Sequence, residues 1–189
     1  MIDFESDIRA CLDVLKRGGL ILYPTDTVWG LGCDATNEQA IDRINSLKHR
    51  PLGAPMIVLV TEEQDIVNHV AAPDLSLFDY LKEVAHPTTV IYEGAIGLAE
   101  NLLAPDGSVG IRICSDLFCR HLIKRFGKPI VSTSANRHGA PTPTNFSSID
   151  PDIRIGVDYV VHHRQEEKNP GRSSTLIRWV EGAPIVLRP

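Results

Sequence analysis

Helical patterns of apolar residues alternate with short apolar stretches along the first two thirds of the chain. Residues 3–17 repeat apolar side chains at helical spacing and stop at Gly18 and Gly19, which predicts an amphipathic helix. Asn37 precedes a second such pattern that ends before Pro51, so we expect Asn37 to be a helix N-cap. Residues 74–84 and 117–125 also have helical patterns.

Strands are expected where apolar residues run without interruption between turn signals. These stretches are 20–23, 56–60, 89–92, 109–113, 130–133, 159–162, 174–180 and 184–187. Because strands and helices alternate early and strands dominate late, the pattern predicts an α/β (α+β) fold with a twisted mixed sheet flanked by helices. The sequence has no visible repeat or linker, and we expect residues 1–189 to form a single domain.

Composition narrows the class of protein. The chain is 43% hydrophobic and 23% charged with a formal net charge of -5, which argues against a disordered chain and against indiscriminate binding of nucleic acid. The charge is uneven, because residues 117–149 contain no acidic residue but hold five basic ones: Arg120, Lys124, Arg125, Lys128 and Arg137. We expect no membrane span or signal peptide, and cysteines that are free thiols in a reducing cytoplasm.

A segment rich in hydroxyls and glycines, Tyr-Pro-Thr-Asp-Thr-Val-Trp-Gly-Leu-Gly at 23–32, follows the first predicted strand. Ligands of open α/β sheets bind beyond the carboxyl ends of strands, so this segment could hold a small polar ligand. An ordinary turn in which Asp26 bonds its own backbone explains the pattern equally well. Residues 30–35 match a dinucleotide-binding fingerprint, but the expected acidic residue downstream is missing, which disfavours such a site.

Two pairs of polar residues stand two positions apart. Lys48 and Arg50 close the second predicted helix, and in an extended chain both would point the same way and suit a polyphosphate. Cations that complement the helix dipole are the simpler interpretation. Ser134 and Asn136 follow a predicted strand and could donate hydrogen bonds to phosphate or carboxylate oxygens. No Gly-x-Ser-x-Gly motif surrounds Ser134, which disfavours a serine nucleophile.

Further polar positions suggest anion binding. Ser108 and Arg112 share one face of a predicted strand, where Arg112 could clamp a carboxylate or form a strand-end salt bridge. The turn at 171–175 could offer backbone amides to an anion. The histidines lack useful ligand spacing, so we expect no protein-bound metal, and any Mg²⁺ should arrive with phosphate groups.

Taken together, these segments resemble the YrdC-like family, the threonylcarbamoyl-AMP synthases, over nearly the whole chain. The matching segments, in the family's order, are 23–32, 47–51, 108–112, 132–136, 173–175 and 187–189. The resemblance implies a twisted sheet with a concave cavity. It also implies a nucleotidyltransferase that converts L-threonine, bicarbonate and ATP into L-threonylcarbamoyladenylate and pyrophosphate. A separate transferase would then modify the tRNA adenosine next to the anticodon.

The resemblance also implies roles for individual residues. The family's Lys-x-Arg and Ser-x-Asn motifs fall on the catalytic positions Lys48, Arg50, Ser134 and Asn136. The positions that contact L-threonine are Thr27, Arg112, Ser132 and Ser174. The positions that contact ATP are Arg50, Ala54, Ser108, Ser134, Thr142 and Arg188. Mg²⁺ is expected only with the nucleotide.

The chain departs from the family pattern at Trp29, where tyrosine is commoner, at 85–89, and at Arg137-His138-Gly139 in place of Leu-Ser-Gly. We expect neither Trp29 nor the 137–139 segment to touch the catalytic set. One alternative function is a non-catalytic RNA-binding module of the same fold, although direct RNA binding should be weak. The other is a carbamoyl-transfer module of a hydrogenase-maturation protein, for which a chain of 189 residues should be too short.

Overall fold

The computed structural model describes residues 4–51, 56–168 and 171–189. The α-helices within these ranges are α1 Glu5–Lys16, α2 Glu38–Lys48, α3 Glu63–His69, α4 Ser76–Glu83, α5 Leu117–Phe126 and α6 Pro151–Ile155. The strands are β1 Ile21–Tyr23, β2 Gly30–Gly32, β3 Ile57–Val60, β4 Thr88–Tyr92, β5 Val109–Ile113, β6 Ile130–Ser134, β7 Tyr159–Val160, β8 Thr175–Val180 and β9 Ala183–Arg188. Short 3₁₀ helices occupy Glu100–Leu102 and Phe146–Ser148.

The described strands form a mixed sheet in the order β7-β1-β2-β6-β3-β5-β4-β8-β9. The pairs β1–β7, β3–β5 and β4–β8 are parallel, and the other neighbours are antiparallel. Val58 and Val60 of β3 belong to one buried apolar cluster and Leu59 to a second, because successive side chains point to opposite faces of a sheet. The predicted α/β fold with helices packed on a mixed sheet is confirmed.

The ends of α2 and α5 follow capping signals in the sequence. Asn37 caps α2 as predicted, because its side chain accepts a hydrogen bond from the Ala40 amide at 3.1 Å. Asp116 caps α5 in the same way through the Cys119 amide at 2.9 Å. Gly127 ends α5 in the left-handed conformation, with φ 74°, which glycine adopts without strain.

Three of the strands and α-helices were not predicted: β2, α3 and the five-residue α6. The three-residue β2 is too short to show periodicity, and its glycines are required by close packing: a Cβ at Gly32 would lie 2.5 Å from the Tyr23 ring. Helix α3 buries only Ile66, so it lacks an apolar stripe. Its sequence signal is the capping box formed by Glu62 and Asp65.

All four cysteines are free and buried. Burial raises the pKa of the Cys11 and Cys33 thiols, so these groups stay protonated and unreactive. Within the described ranges, none of the helices combines the length and the apolar character that crossing a membrane requires.

Candidate functional site

One cavity of about 490 Å³ gathers side chains from the β1–β2 loop, the end of α2, strands β5, β6, β8 and β9, and the loop after β6. It is lined by every predicted site residue within the described ranges: Thr27, Lys48, Arg50, Ser108, Arg112, Ser132, Ser134, Asn136, Thr142, Ser174 and Arg188. Ala54 lies outside the described residues. Positions separated by up to 161 residues along the chain, from Thr27 to Arg188, therefore meet at one site.

The charged side chains that line this cavity are basic. Its described lining includes the cations Lys48, Arg50, Arg112 and Arg188 and no aspartate or glutamate. Two larger cavities, of about 780 and 720 Å³, include acidic residues in their lining, such as Glu62 and Glu167 respectively. The 490 Å³ cavity is therefore the one suited to a polyanionic ligand. We refer to it as the cationic cavity.

The end of α2 brings Lys48 and Arg50 to the cationic cavity. Lys48 is the last residue of the helix, and His49 adopts the left-handed conformation with φ 52° and ψ 44°. This turn lets Arg50 line the same cavity, where its guanidinium donates to the Thr133 hydroxyl at 3.2 Å. Both cations therefore line the same cavity, but the expected cause, an extended chain, was wrong.

The Lys48 ammonium connects α2 to the end of β6. Its side chain is buried, and Nζ donates to the carbonyl oxygens of Ser134 and Asn136, the latter at 2.6 Å. Burial and the neighbouring Arg50 lower the pKa of Lys48 to about 7. An ammonium carries three protons, so the two carbonyls leave one donor for a ligand.

Asn136 differs from the expected donor. Its Nδ2 donates to the carbonyls of Arg137 and Ala140, at 3.1 and 2.7 Å, within its own loop. Its Oδ1 is buried and finds no hydrogen-bond partner among the described residues. The amide therefore holds the loop with its donors and leaves an acceptor available, whereas the sequence analysis assigned it a donor role.

Arg112 forms a buried ion pair with Asp26 at the floor of the cavity. Its NH2 group donates to Asp26 Oδ1 at 3.0 Å and to Thr27 Oγ1 at 3.2 Å. The side chains of Arg112 and Asp26 are 3% and 7% exposed. Asp26 Oδ2 accepts from the Ser115 amide at 3.1 Å, while Arg112 Nε is buried without a partner among the described residues. The salt bridge and the cavity lining, considered as alternatives for Arg112, occur together.

Asp26 is the residue that sequence reasoning missed. The 23–32 segment drew attention to it, but as a turn residue that satisfies its own backbone. Its partners are instead Arg112 and Ser115, which lie 86 and 89 positions away along the chain. No local pattern could reveal this pairing. Asp26 fixes the guanidinium that faces the cavity.

The loop that carries Thr27 is held on two sides. The Thr25 and Thr27 hydroxyls lie 2.9 Å apart, and the Thr27 amide donates to Thr25 Oγ1 at 3.0 Å. From the other side Gly171 packs directly on the Thr27 carbonyl, leaving no space for a Cβ. The Gly171 amide donates to the Thr144 carbonyl at 3.2 Å, so it does not face an anion as the sequence had suggested.

Strands β4, β8 and β9 supply the remaining wall. The Ser174 hydroxyl pairs with the Thr89 hydroxyl at 2.8 Å, and both residues are buried. Arg188 donates from NH2 to the Ser174 carbonyl at 3.0 Å, across the β8–β9 pair. Ser108, also buried, donates its hydroxyl to Asp106 at 2.6 Å, outside the cavity lining. These contacts fix the hydroxyls that line the cavity.

Comparison with known proteins gives this arrangement its context. The family model for Sua5, YciO and YrdC proteins, described as "Telomere recombination", matches residues 13–189. The chain belongs to this family. The threonylcarbamoyl-AMP synthase of Xanthomonas campestris pv. campestris is 32% identical over 158 residues, covering 82% of this chain and 84% of the relative.

Solved structures of the family share the fold. P. abyssi Sua5, complexed with L-threonine, matches with a TM-score of 0.83 and 25% identity over 98% of this chain. The chain spans 54% of the length of that Sua5. E. coli YciO matches with a TM-score of 0.82 over 97% of this chain and 88% of its own, and at 22% identity it supports the fold alone.

The basic stretch at residues 117–149 is exposed at Lys124, Arg125 and Lys128, but its cations are paired within the chain. Each of its five cations contacts a group from another part of the chain. The contacts are Arg120 to the Thr61 carbonyl, Lys124 to Glu62, Arg125 to Glu5, Lys128 to Asp34, and Arg137 to Asp150 and Asp152. The cationic cavity differs, because its described lining contains no carboxylate, although Arg112 pairs with the buried Asp26 behind that lining.

Proposed function

We propose that this chain is an L-threonylcarbamoyladenylate synthase, a nucleotidyltransferase that makes this product and pyrophosphate from L-threonine, bicarbonate and ATP. The observation that carries the proposal is the cationic cavity, whose described lining has four cations, several hydroxyls and no carboxylate. Relatives named threonylcarbamoyl-AMP synthase support it. The product would serve threonylcarbamoyladenosine modification of tRNA by a separate transferase.

L-Threonine would bind around Arg112, with Ser132 and Ser174 lining the same region. The unpartnered Arg112 Nε supports this placement, because a carboxylate would give that buried donor a partner. Thr27, held beside the guanidinium, would contact the substrate hydroxyl. Discrimination against serine would depend on one methyl group, worth about 1–3 kcal/mol.

ATP would occupy the rest of the cavity. Its phosphates would contact Arg50 and the end of β6, and Ser108, Thr142 and Arg188 would contact the remainder of the nucleotide. Ala54 is kept as a proposed contact from sequence. Apolar lining from Ile57, Ile91 and Leu176 suits a purine ring. Mg²⁺ would arrive on the phosphates and keep several waters, which fits a lining without carboxylates.

The chemistry requires positioning and charge stabilisation. The threonine amine adds to carbon dioxide and loses a proton, or displaces water from bicarbonate, to give a carbamate. A carbamate oxygen then attacks the α-phosphate and displaces pyrophosphate. Arg50 and the third Lys48 proton would stabilise charge on these oxygens. Bound phosphate would raise the pKa of Lys48 from about 7 again, because a nearby negative charge favours the ammonium. Enclosure of the cavity would limit loss of the carbamate to water.

Pyrophosphate release from ATP tests this function. We expect release to require both L-threonine and bicarbonate, and Lys48→Ala or Arg50→Ala to lower turnover by about 10²–10³, the scale for losing an oxyanion donor. Lys82→Ala is the matched control, because Lys82 lies on α4 and does not line the cavity. If release is not stimulated by threonine plus bicarbonate, the proposed function is wrong.

The RNA-binding alternative is disfavoured by the pairing of the basic stretch with other parts of the chain. A purely RNA-binding module would show tight tRNA binding with a steep salt dependence and no turnover. The assignment of residues 1–189 to one domain and the cytoplasmic location stay predictions.

A further inference from the structure

His138 lines the cationic cavity, although it belongs to the segment that departs from the family pattern and was expected to lie away from the site. Its amide donates to the Lys48 carbonyl at 2.8 Å, which fixes His138 beside the end of α2. Its imidazole has no hydrogen-bond or ion-pair partner among the residues that the structure describes. The ring is therefore available to a ligand in the cavity.

The exposed fraction of the lining residues increases from β6 into the loop that follows it. Ser132 is 7% exposed, Ser134 and Asn136 are half-buried, and His138 is exposed. Gly139 and Thr142, which also line the cavity, are exposed as well. His138 thus lies at the mouth, where the cavity meets solvent.

The charges around His138 are positive within the cavity. Lys48 comes from α2, Arg50 from the turn after it, Arg112 from β5 and Arg188 from β9, and the described lining contains no carboxylate. The nearest acidic groups along the loop, Asp150 and Asp152, are paired with Arg137. His49, the neighbouring imidazole, contacts Arg137 at 3.1 Å. These surroundings favour a polyphosphate in the part of the cavity that His138 lines.

We propose that His138 is a binding residue for the pyrophosphate end of ATP, to which its imidazole donates a hydrogen bond at the mouth of the cavity. The proposal rests on the proposed function. Pyrophosphate is the leaving group of the reaction and must reach solvent. The pyrophosphate end of ATP is therefore expected at the mouth of the cavity, beside His138. The purine end of ATP, placed against Ile57, Ile91 and Leu176, would not contact His138. The Ser that the family pattern has at this position cannot carry a charge, so this contact would make pyrophosphate binding in this chain depend on pH.

Equilibrium binding of ATP, pyrophosphate and AMP to the full chain tests the proposal. The variants are His138→Gln, His138→Ser, which restores the family residue, and His86→Gln. His86 is a matched control, because it is exposed and lines the two larger cavities rather than the described part of the cationic cavity. Measurements at about pH 6 and about pH 8 bracket the range in which histidine changes charge.

We expect both His138 variants to bind pyrophosphate and ATP about fivefold more weakly than wild type at about pH 6, the scale of a partly exposed ion pair. The difference should shrink at about pH 8, because a neutral ring attracts phosphate less. AMP binding should be unchanged, since AMP lacks the two outer phosphates. His86→Gln should bind all three ligands as wild type does.

Two results would overturn the proposal on its own: wild-type pyrophosphate binding in both His138 variants, or equal loss of AMP and pyrophosphate binding, which indicates a structural role. A wild-type chain that binds neither ATP nor pyrophosphate would overturn the proposed function first. The two failures are thus distinguished by the behaviour of the wild type.

Discussion

Removal of Asp26 should destabilise the whole protein through Arg112. The two side chains are 7% and 3% exposed and their closest atoms lie 3.0 Å apart. Asp26→Ala would leave the guanidinium buried with the Thr27 hydroxyl as its remaining side-chain partner. Removing one partner of a buried ion pair costs about 3–5 kcal/mol, a large part of the 5–15 kcal/mol that holds a typical domain folded.

Urea unfolding, followed by the fluorescence of the two tryptophans, measures this loss of unfolding free energy. We expect Asp26→Ala to lower the unfolding free energy by about 3–5 kcal/mol and Asp26→Asn, which keeps an acceptor, to lower it less. The double variant Asp26→Ala/Arg112→Met should recover much of the loss, because it removes the unpaired charge. Glu5→Ala is the control, since the Glu5–Arg125 pair has a similar distance, 2.9 Å, but is exposed.

Two outcomes would refute this reasoning. The unfolding free energy of Asp26→Ala could lie within about 1 kcal/mol of the wild-type value, which would mean that water reaches the guanidinium. Alternatively, the double variant could lose as much as the two single variants together, which would mean that the pair has no coupling energy. Either result would remove Asp26 as the residue that fixes the orientation of Arg112.

Three further predictions concern Lys48, which lines the cavity, and Thr89 and Gly171, which contact lining residues. The folded pKa of Lys48 is lowered to about 7 from an ordinary 10.5, so the unfolded chain binds more protons between these values and the unfolding free energy should rise with pH across that range. Lys48→Met should remove this rise when urea unfolding is compared at about pH 7 and about pH 9, and a rise of equal size in the variant would contradict the assignment. Thr89→Val deletes the partner of the Ser174 hydroxyl and should raise the KM for threonine about twofold to tenfold with little change in the KM for ATP, whereas equal changes in both would indicate general damage. Gly171→Ala places a methyl group on the Thr27 carbonyl and should raise the KM for threonine while circular dichroism stays that of the wild type; an unchanged KM would show that the loop yields easily.

Local signals were sufficient for most of the fold. The helix at α2 followed from an apolar stripe and a capping asparagine, and the buried strand β3 followed from an uninterrupted apolar run. Short elements that bury few side chains were missed: β2 has three residues, α3 buries one side chain, and α6 has five residues and buries only Ile153. Strand β2, for example, is stabilised by pairing with β6, which is remote in sequence.

The site could be predicted as a set of residues but not as a geometry. The family resemblance supplied the positions, and the structure brings the described ones to one cavity. What each polar group bonds to could not be predicted, because those partners are remote in sequence: Lys48 bonds the carbonyls of Ser134 and Asn136, 86 and 88 positions away. The place of His138 at the mouth depends in the same way on packing of its loop against α2.

The cavity joins elements that are far apart along the chain, from Thr27 in the loop after β1 to Arg188 in β9. The ribosome synthesises these elements in order. The loop with Thr27 is therefore made long before strand β9, which carries Arg188. The described lining of the cavity is complete only when β9, which carries Arg188, has paired with β8. A nascent chain that lacks β9 would therefore lack the proposed ATP contact of Arg188. Proteolytic loss of β9 would likewise remove Arg188 while leaving the central strands β3, β5 and β6 in the sheet.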